Sequence, residues 1–175
     1  MSSDSRRWTG VSLAVLCGGE APFPAVPAPA WLCELFEDVM WVGPIPEPQL
    51  PGRCVPDPPG PACSLRGLLG GLDAAREERI LVLGGRRRSL SPDLVLALLA
   101  APDADAVVPR STAGAEPLCA LYRREPVRTL ARTRLREGPF AMSDFLAELD
   151  VWHLEGAALT ALRSAGQEPS HRGDA

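Results

Sequence analysis

Residues 79–94 read R-I-L-V-L-G-G-R-R-R-S-L-S-P-D-L, and the fold turns on them. Ile80, Leu81, Val82 and Leu83 form an apolar run closed by Gly84 and Gly85, which predicts a strand buried on both faces. Ser91 followed by Pro92 is a helix start, with the serine at the cap and the proline in the first helical position. In open α/β sheets, ligands bind outside the carboxyl ends of the strands. That position carries Arg86, Arg87 and Arg88, with no carboxylate before Asp93, so it offers a phosphate or an acidic partner a cationic contact. A solvated charged loop is the alternative reading of the same run.

The same pattern repeats on either side. Residues 11–17, V-S-L-A-V-L-C, predict a first buried strand that ends on Gly18-Gly19. Two backbone N–H groups there suit a phosphate, or simply a tight turn, but Pro22, Pro24, Pro27 and Pro29 follow and donate nothing. Residues 31–36 predict a short helix and 38–42 a second strand. From 43 to 61 the chain is proline-rich and must run over the surface, with a short extended piece at 53–55.

Residues 64–76 place Leu65, Leu68, Leu69 and Leu72 at helical spacing, with Ser64 as the expected N-cap. Gly67, Gly70 and Gly71 interrupt that helix at about 1 kcal/mol each. Glycines kept at that cost imply a close approach to the sheet or to a ligand. Beyond the organising strand, a helix is expected at 92–100, strands at 105–109 and 118–122, helices at 128–136 and 142–149, a strand at 150–154 and a last helix at 157–164. Strands alternating with helices predict a three-layer α/β fold with a mostly parallel sheet. One domain over 10–165, with flexible ends at 1–9 and 166–175, fits the length of 175 residues.

Composition narrows the chemistry. All 18 basic residues are arginines, so no lysine is available for phosphate binding or Schiff-base chemistry. A net charge of −4 disfavours nucleic acid as a partner, and no apolar run reaches the length that spans a bilayer. Cys17, Cys33, Cys54, Cys63 and Cys119 form no C-x-x-C pair, so a zinc site is not expected. The odd cysteine count and the charged residues 4–7 point to a cytoplasmic, reducing setting. His153 reads as a structural histidine rather than a base. Trp8, Trp31, Trp41 and Trp152 are interface anchors or core-edge fillers in a chain with 5% aromatics.

Six segments together resemble the molybdenum cofactor guanylyltransferases, nucleotidyltransferases with a Rossmann-like fold. They are A-V-L-C-G-G at 14–19, V-P-D-P-P-G at 55–60, L-R-G-L-L-G-G-L at 65–72, I-L-V-L-G-G-R-R-R-S-L-S-P-D-L at 80–94, A-D-A-V-V-P-R at 104–110 and E-P-L-C-A-L-Y-R-R at 116–124. The resemblance runs in order over about residues 11–155. It implies nucleotide contact at Leu16, Cys17, Gly18, Gly19, Asp57 and Gly67.

It also exposes what this chain lacks. The family follows its first strand with a glycine-rich loop bearing an arginine and an essential lysine; here Gly18-Gly19 are kept and prolines replace the rest. The asparagine after the family's next strand falls near Gly43, and a Gly-Pro pair opening the following helix is replaced by Cys63-Ser64. The magnesium-binding aspartate of an Asp-x-Pro-x-Leu run falls on Arg86, and its proline on Arg88. The resemblance with these departures implies a degenerate, non-catalytic relative near molybdoenzyme maturation, with no cofactor, that binds a protein partner or a second copy of itself. The alternative it leaves open is an active transferase of GMP or CMP to molybdopterin, using GTP or CTP, in which Arg86, Arg87 and Arg88 stand in for the metal.

Overall fold

The structure is a computed structural model and describes residues 8–17, 28–44, 51–84, 90–138 and 140–156. In chain order its elements are β1 (Trp8–Leu16), α1 (Ala30–Glu34), β2 (Phe36–Val42), β3 (Arg53–Val55), α2 (Ser64–Ala74), β4 (Arg79–Gly84), α3 (Pro92–Leu99), β5 (Ala106–Ser111), β6 (Gly114–Ala115), β7 (Cys119–Arg123), α4 (Arg124–Glu137), α5 (Met142–Leu146) and β8 (Val151–Leu154). The strands form one sheet in the order β3-β2-β1-β4-β7-β5-β6, with β8 also paired to β5. The pairs β3-β2, β2-β1 and β1-β4 are parallel, as is β5-β8. The strand β7 runs antiparallel to both β4 and β5. The sheet is therefore parallel at its core and mixed on one side.

Alternation along the central strands builds two cores. Ala14, Leu16, Met40, Val42, Ile80 and Val82 face α2, α4 and α5, where Leu65, Leu68, Leu72, Val127 and Phe145 meet them. Leu13, Val15, Val39, Trp41, Leu81 and Leu83 point the opposite way, against Leu32 of α1 and Leu94, Val95 and Leu98 of α3. Because both faces are covered, the central strands carry no polar alternation, which is why they read as continuous apolar runs. The three-layer α/β expectation holds.

The glycines of α2 are explained by the sheet and the loop before it. A Cβ on Gly71 would sit 3.1 Å from Ala14 Cβ, and one on Gly70 would sit 3.0 Å from both Pro58 Cδ and Val42 Cγ1. Helix and sheet approach too closely there for a side chain.

Several boundaries differ from the sequence reading, each for a local reason. The first strand starts at Trp8, so Trp8 and Thr9 do not belong to a loose end; Trp8 is in register with Phe36, and an irregularity between Trp8 and Ser12 coincides with Gly10 at φ 78°. Phe36 is a buried strand residue and not the end of a helix. The N-cap of α2 is Cys63, with no side-chain hydrogen bond, and Ser64 is already helical. Helix α4 begins at Arg124, four residues early, because Pro126 falls in the first turn, where no backbone N–H is needed. The short β6, paired with the end of β5, has no counterpart in the sequence reading. At α3 the reading holds: Ser91 caps the helix by accepting from Leu94 N at 3.2 Å, and Pro92 opens it. The helix expected at 157–164 lies outside the described residues, and no described helix is long and apolar enough to cross a membrane.

Candidate functional site

The carboxyl ends of β1, β2, β3 and β4 lie side by side. Leu16 is in register with Val42 on one side and with Gly84 on the other. The ladder continues one step further, with Cys17 N donating to Val42 O at 2.7 Å and Gly43 N donating to Val55 O at 2.9 Å. Gly84 N donates to Leu118 O at 2.6 Å, and a Cβ on Gly84 would lie 2.9 Å from Leu118 Cβ. Only glycine lets β4 leave the sheet that close to the segment before β7.

Four of the residues singled out from the sequence converge at this edge. A Cβ on Gly67, in the first turn of α2, would meet Leu16 Cδ1 at 3.6 Å and Asp57 Oδ1 at 3.9 Å. Cys17 follows Leu16, and its thiol pKa is pushed up to about 11, first by burial and then by the nearby Cys54 and Asp57. Asp57 itself is engaged: Arg66 Nη2 lies 3.5 Å from its Oδ2, and both side chains are mostly buried. The cluster thus offers one carboxylate acceptor, an unreactive thiol and a helix start with no side chain in the way. Gly18, Gly19, Arg86, Arg87 and Arg88 lie outside the described residues.

Other candidates are dispersed. His153 is exposed on β8, and Trp152 beside it is 49% exposed, whereas Trp41 is buried and donates from Nε1 to Pro51 O at 3.3 Å. Sequence reasoning overlooked Arg66, although an arginine inside the apolar helix pattern of 65–72 is a signal in itself. Leu118 carried no signal, because its role comes only from the fold bringing it against Gly84.

A family model, the MobA-like NTP transferase domain, matches residues 30–152. The chain belongs to this family. No curated protein matches the sequence. Among solved structures, a protein from Aquifex aeolicus is similar at 20% identity and TM-score 0.69, covering 89% of this chain and 90% of that one. Molybdopterin-guanine dinucleotide biosynthesis protein A from Archaeoglobus fulgidus is similar at 16% identity and TM-score 0.62, with 87% and 86% covered. The 2-C-methyl-D-erythritol 4-phosphate cytidylyltransferase from Thermus thermophilus is similar at 17% identity and TM-score 0.60, with 88% and 96% covered. At such identities the likeness to these proteins is one of fold.

Proposed function

We propose that this MobA-like chain is a non-catalytic nucleotidyltransferase-fold protein that works as a binding or assembly module for a protein partner. One observation carries the reading: Leu16 and Gly84 are register partners. The segment after Leu16, where the family keeps its lysine loop, and the segment after Gly84, where it keeps its magnesium aspartate, therefore leave neighbouring strands. In the sequence, prolines replace the first and Arg86 stands in the second, so both departures follow adjacent strand ends. Phosphoryl transfer relies on metal and cationic side chains acting together on the same phosphates, and a site deprived of both has lost that chemistry.

Magnesium, which the family resemblance implies, does not fit the residues present. It takes oxygen ligands in near-octahedral geometry. The carboxylate beside Leu16 and Gly67 is Asp57, already paired with Arg66, and the sequence after Gly84 supplies guanidinium groups before any acid. An arginine repels a divalent cation. The exposed Trp152 on β8 supports a partner-binding role, since a large half-exposed aromatic is the side chain that anchors interfaces.

The same adjacency favours a second reading, in which Arg86, Arg87 and Arg88 clamp the phosphates of GTP or CTP without a metal. Calorimetric titration with each nucleotide, with and without magnesium, together with an assay for nucleotide transfer to molybdopterin, separates the two. The non-catalytic module predicts no transfer under any condition. Magnesium-dependent transfer would overturn it, and magnesium-independent binding abolished by R86D would move the conclusion to the phosphate clamp.

A further inference from the structure

Strand β8 pairs with β5 and with no other described strand, so one of its edges is free among the described residues. Ala106 N donates to Asp150 O at 3.1 Å, which fixes how β8 is turned. Along a strand in a parallel ladder, the residues whose backbone groups address one neighbour alternate with those that address the other side. Trp152 and Leu154 therefore turn toward β5, in keeping with the register Ala106↔Val151, while Val151 and His153 turn their N–H and C=O groups outward. A free edge of this kind is a template for another strand.

The side chains single out the same edge. Trp152 is 49% exposed and shares its face of the sheet with Leu154, which packs on the core beneath α3. Val151 and His153 stand on the opposite face. Asp150 and Glu155 close the two ends of the strand; both are exposed, and neither has an ion-pair partner among the described residues. The edge thus offers free backbone groups and a large apolar ring between two acidic ends.

We propose that β8 binds an extended segment of a partner protein, which joins the sheet as a further strand. Its apolar residues lie beside Trp152 and Leu154, and an Arg or Lys at each end faces Asp150 and Glu155. In such strand addition the backbone pairing supplies affinity and alternate side chains supply selectivity. Opposite charges across the two strands add to it, and like charges subtract. A second copy of this chain is the poorer occupant: pairing two β8 strands antiparallel about Trp152 brings Asp150 beside the second copy's Glu155 at both ends. The inference rests on the partner-binding role proposed above and gives that partner its chemistry.

The blocked peptide acetyl-Arg-Val-Thr-Val-Thr-Arg-amide, titrated into the full chain and followed by amide NMR and hydrogen exchange, tests the proposal. Laid antiparallel to β8, it sets its arginines opposite Glu155 and Asp150 and both valines on the Trp152 face. The Val151 and His153 amides should exchange freely in the unliganded chain and at least tenfold more slowly at saturating peptide, with Trp152 and Leu154 protected throughout. The same peptide with glutamate for arginine should bind at least tenfold more weakly. H153P should weaken binding as much, because it removes an outward N–H that an edge strand can spare. D150N/E155Q changes two exposed side chains, keeps the fold and should abolish the preference for the arginine peptide. Protection of Val151 and His153 in the free chain would overturn the proposal: protection that grows with protein concentration gives the edge to a second copy, and constant protection gives it to the chain's own later residues. No binding, or equal binding of both peptides, would also overturn it while leaving the non-catalytic reading intact, since only nucleotide transfer bears on that.

Discussion

Ser12 Oγ donates to Asp38 Oδ2 at 2.6 Å across the parallel pair β1-β2, far from the carboxyl edge where β1 and β4 end. Asp38 is 4% exposed and accepts further bonds from Arg76 N at 3.0 Å and from Arg53 Nε and Nη2 at 3.2 and 3.0 Å, while Arg53 Nη2 also reaches Ala74 O. One carboxylate thus joins β1, β2, β3 and the end of α2. Burial opposes its ionisation, but the hydrogen bonds from Ser12, Arg76 N and Arg53 outweigh burial and hold its pKa below the ordinary value.

Removing that carboxylate leaves a part-buried Arg53 and the Ser12 hydroxyl without their acceptor. D38A is expected to cost about 2–3 kcal/mol in urea denaturation, toward the low end for broken buried pairs because Arg53 keeps some solvent. A depressed folded pKa means that the ionised form is favoured by folding, so the contribution is complete above about pH 4. It fades as pH falls through the lower folded value. The acid arm of the stability curve should therefore flatten in D38A; an unchanged acid arm would show that Asp38 is not what titrates.

Tyr122 is fully buried and its hydroxyl donates to Pro117 O at 2.6 Å. Burial first, and then nearby Cys119, raises its pKa far above the ordinary tyrosine value of about 10. It is the single tyrosine of the chain, so tyrosinate absorbance reports on it alone. No tyrosinate is expected at about pH 10 in the folded protein, and its appearance should coincide with alkaline unfolding. The raised folded value means that this tyrosine stabilises the fold fully below about pH 10 and progressively less above it. Y122F should cost about 1–2 kcal/mol by leaving the Pro117 carbonyl unpaired.

Thiol reactivity should rank by burial and pKa. Cys54 is exposed, Cys33 and Cys119 are buried, and Cys17 is held protonated at neutral pH by its raised pKa. Iodoacetamide at neutral pH is expected to label Cys54 well before Cys17, as read by peptide mass spectrometry. Early labelling of Cys17 would mean that the end of β1 is more open than the packing around Leu16 indicates.

At Gly84 an added methyl group meets Leu118 Cβ at 2.9 Å, and neither atom belongs to a flexible side-chain end. G84A is expected to destabilise the chain by about 1–3 kcal/mol through overpacking. Hydrogen exchange should report the loss locally, at the Gly84 amide that donates to Leu118 O. G10A makes a useful contrast: it meets nothing within 4 Å, and its cost of about 1–2 kcal/mol should come from the backbone at φ 78° alone.

The element order was legible because both faces of the sheet are covered. Runs such as 80–83 and 13–16 had to be apolar without alternation, and glycines or prolines had to close them. Ser91-Pro92 announced α3 through local chemistry alone. The start of β1 was not legible, since Trp8 joins the sheet only through its register with Phe36, a residue far away in sequence. Nor was the antiparallel setting of β7, which depends on where the chain returns after β5.

The candidate site divides in the same way. The absence of lysine, the prolines after Gly19 and the arginines at 86–88 are properties of the sequence, and they determine which phosphate chemistry the chain can offer wherever those residues lie. Only the tertiary structure decided that Leu16 and Gly84 are neighbours and that Asp57 is paired with Arg66. Residue types fix charge and hydrogen-bonding capacity locally, whereas pairing and burial depend on contacts between segments that strand order and helix packing bring together.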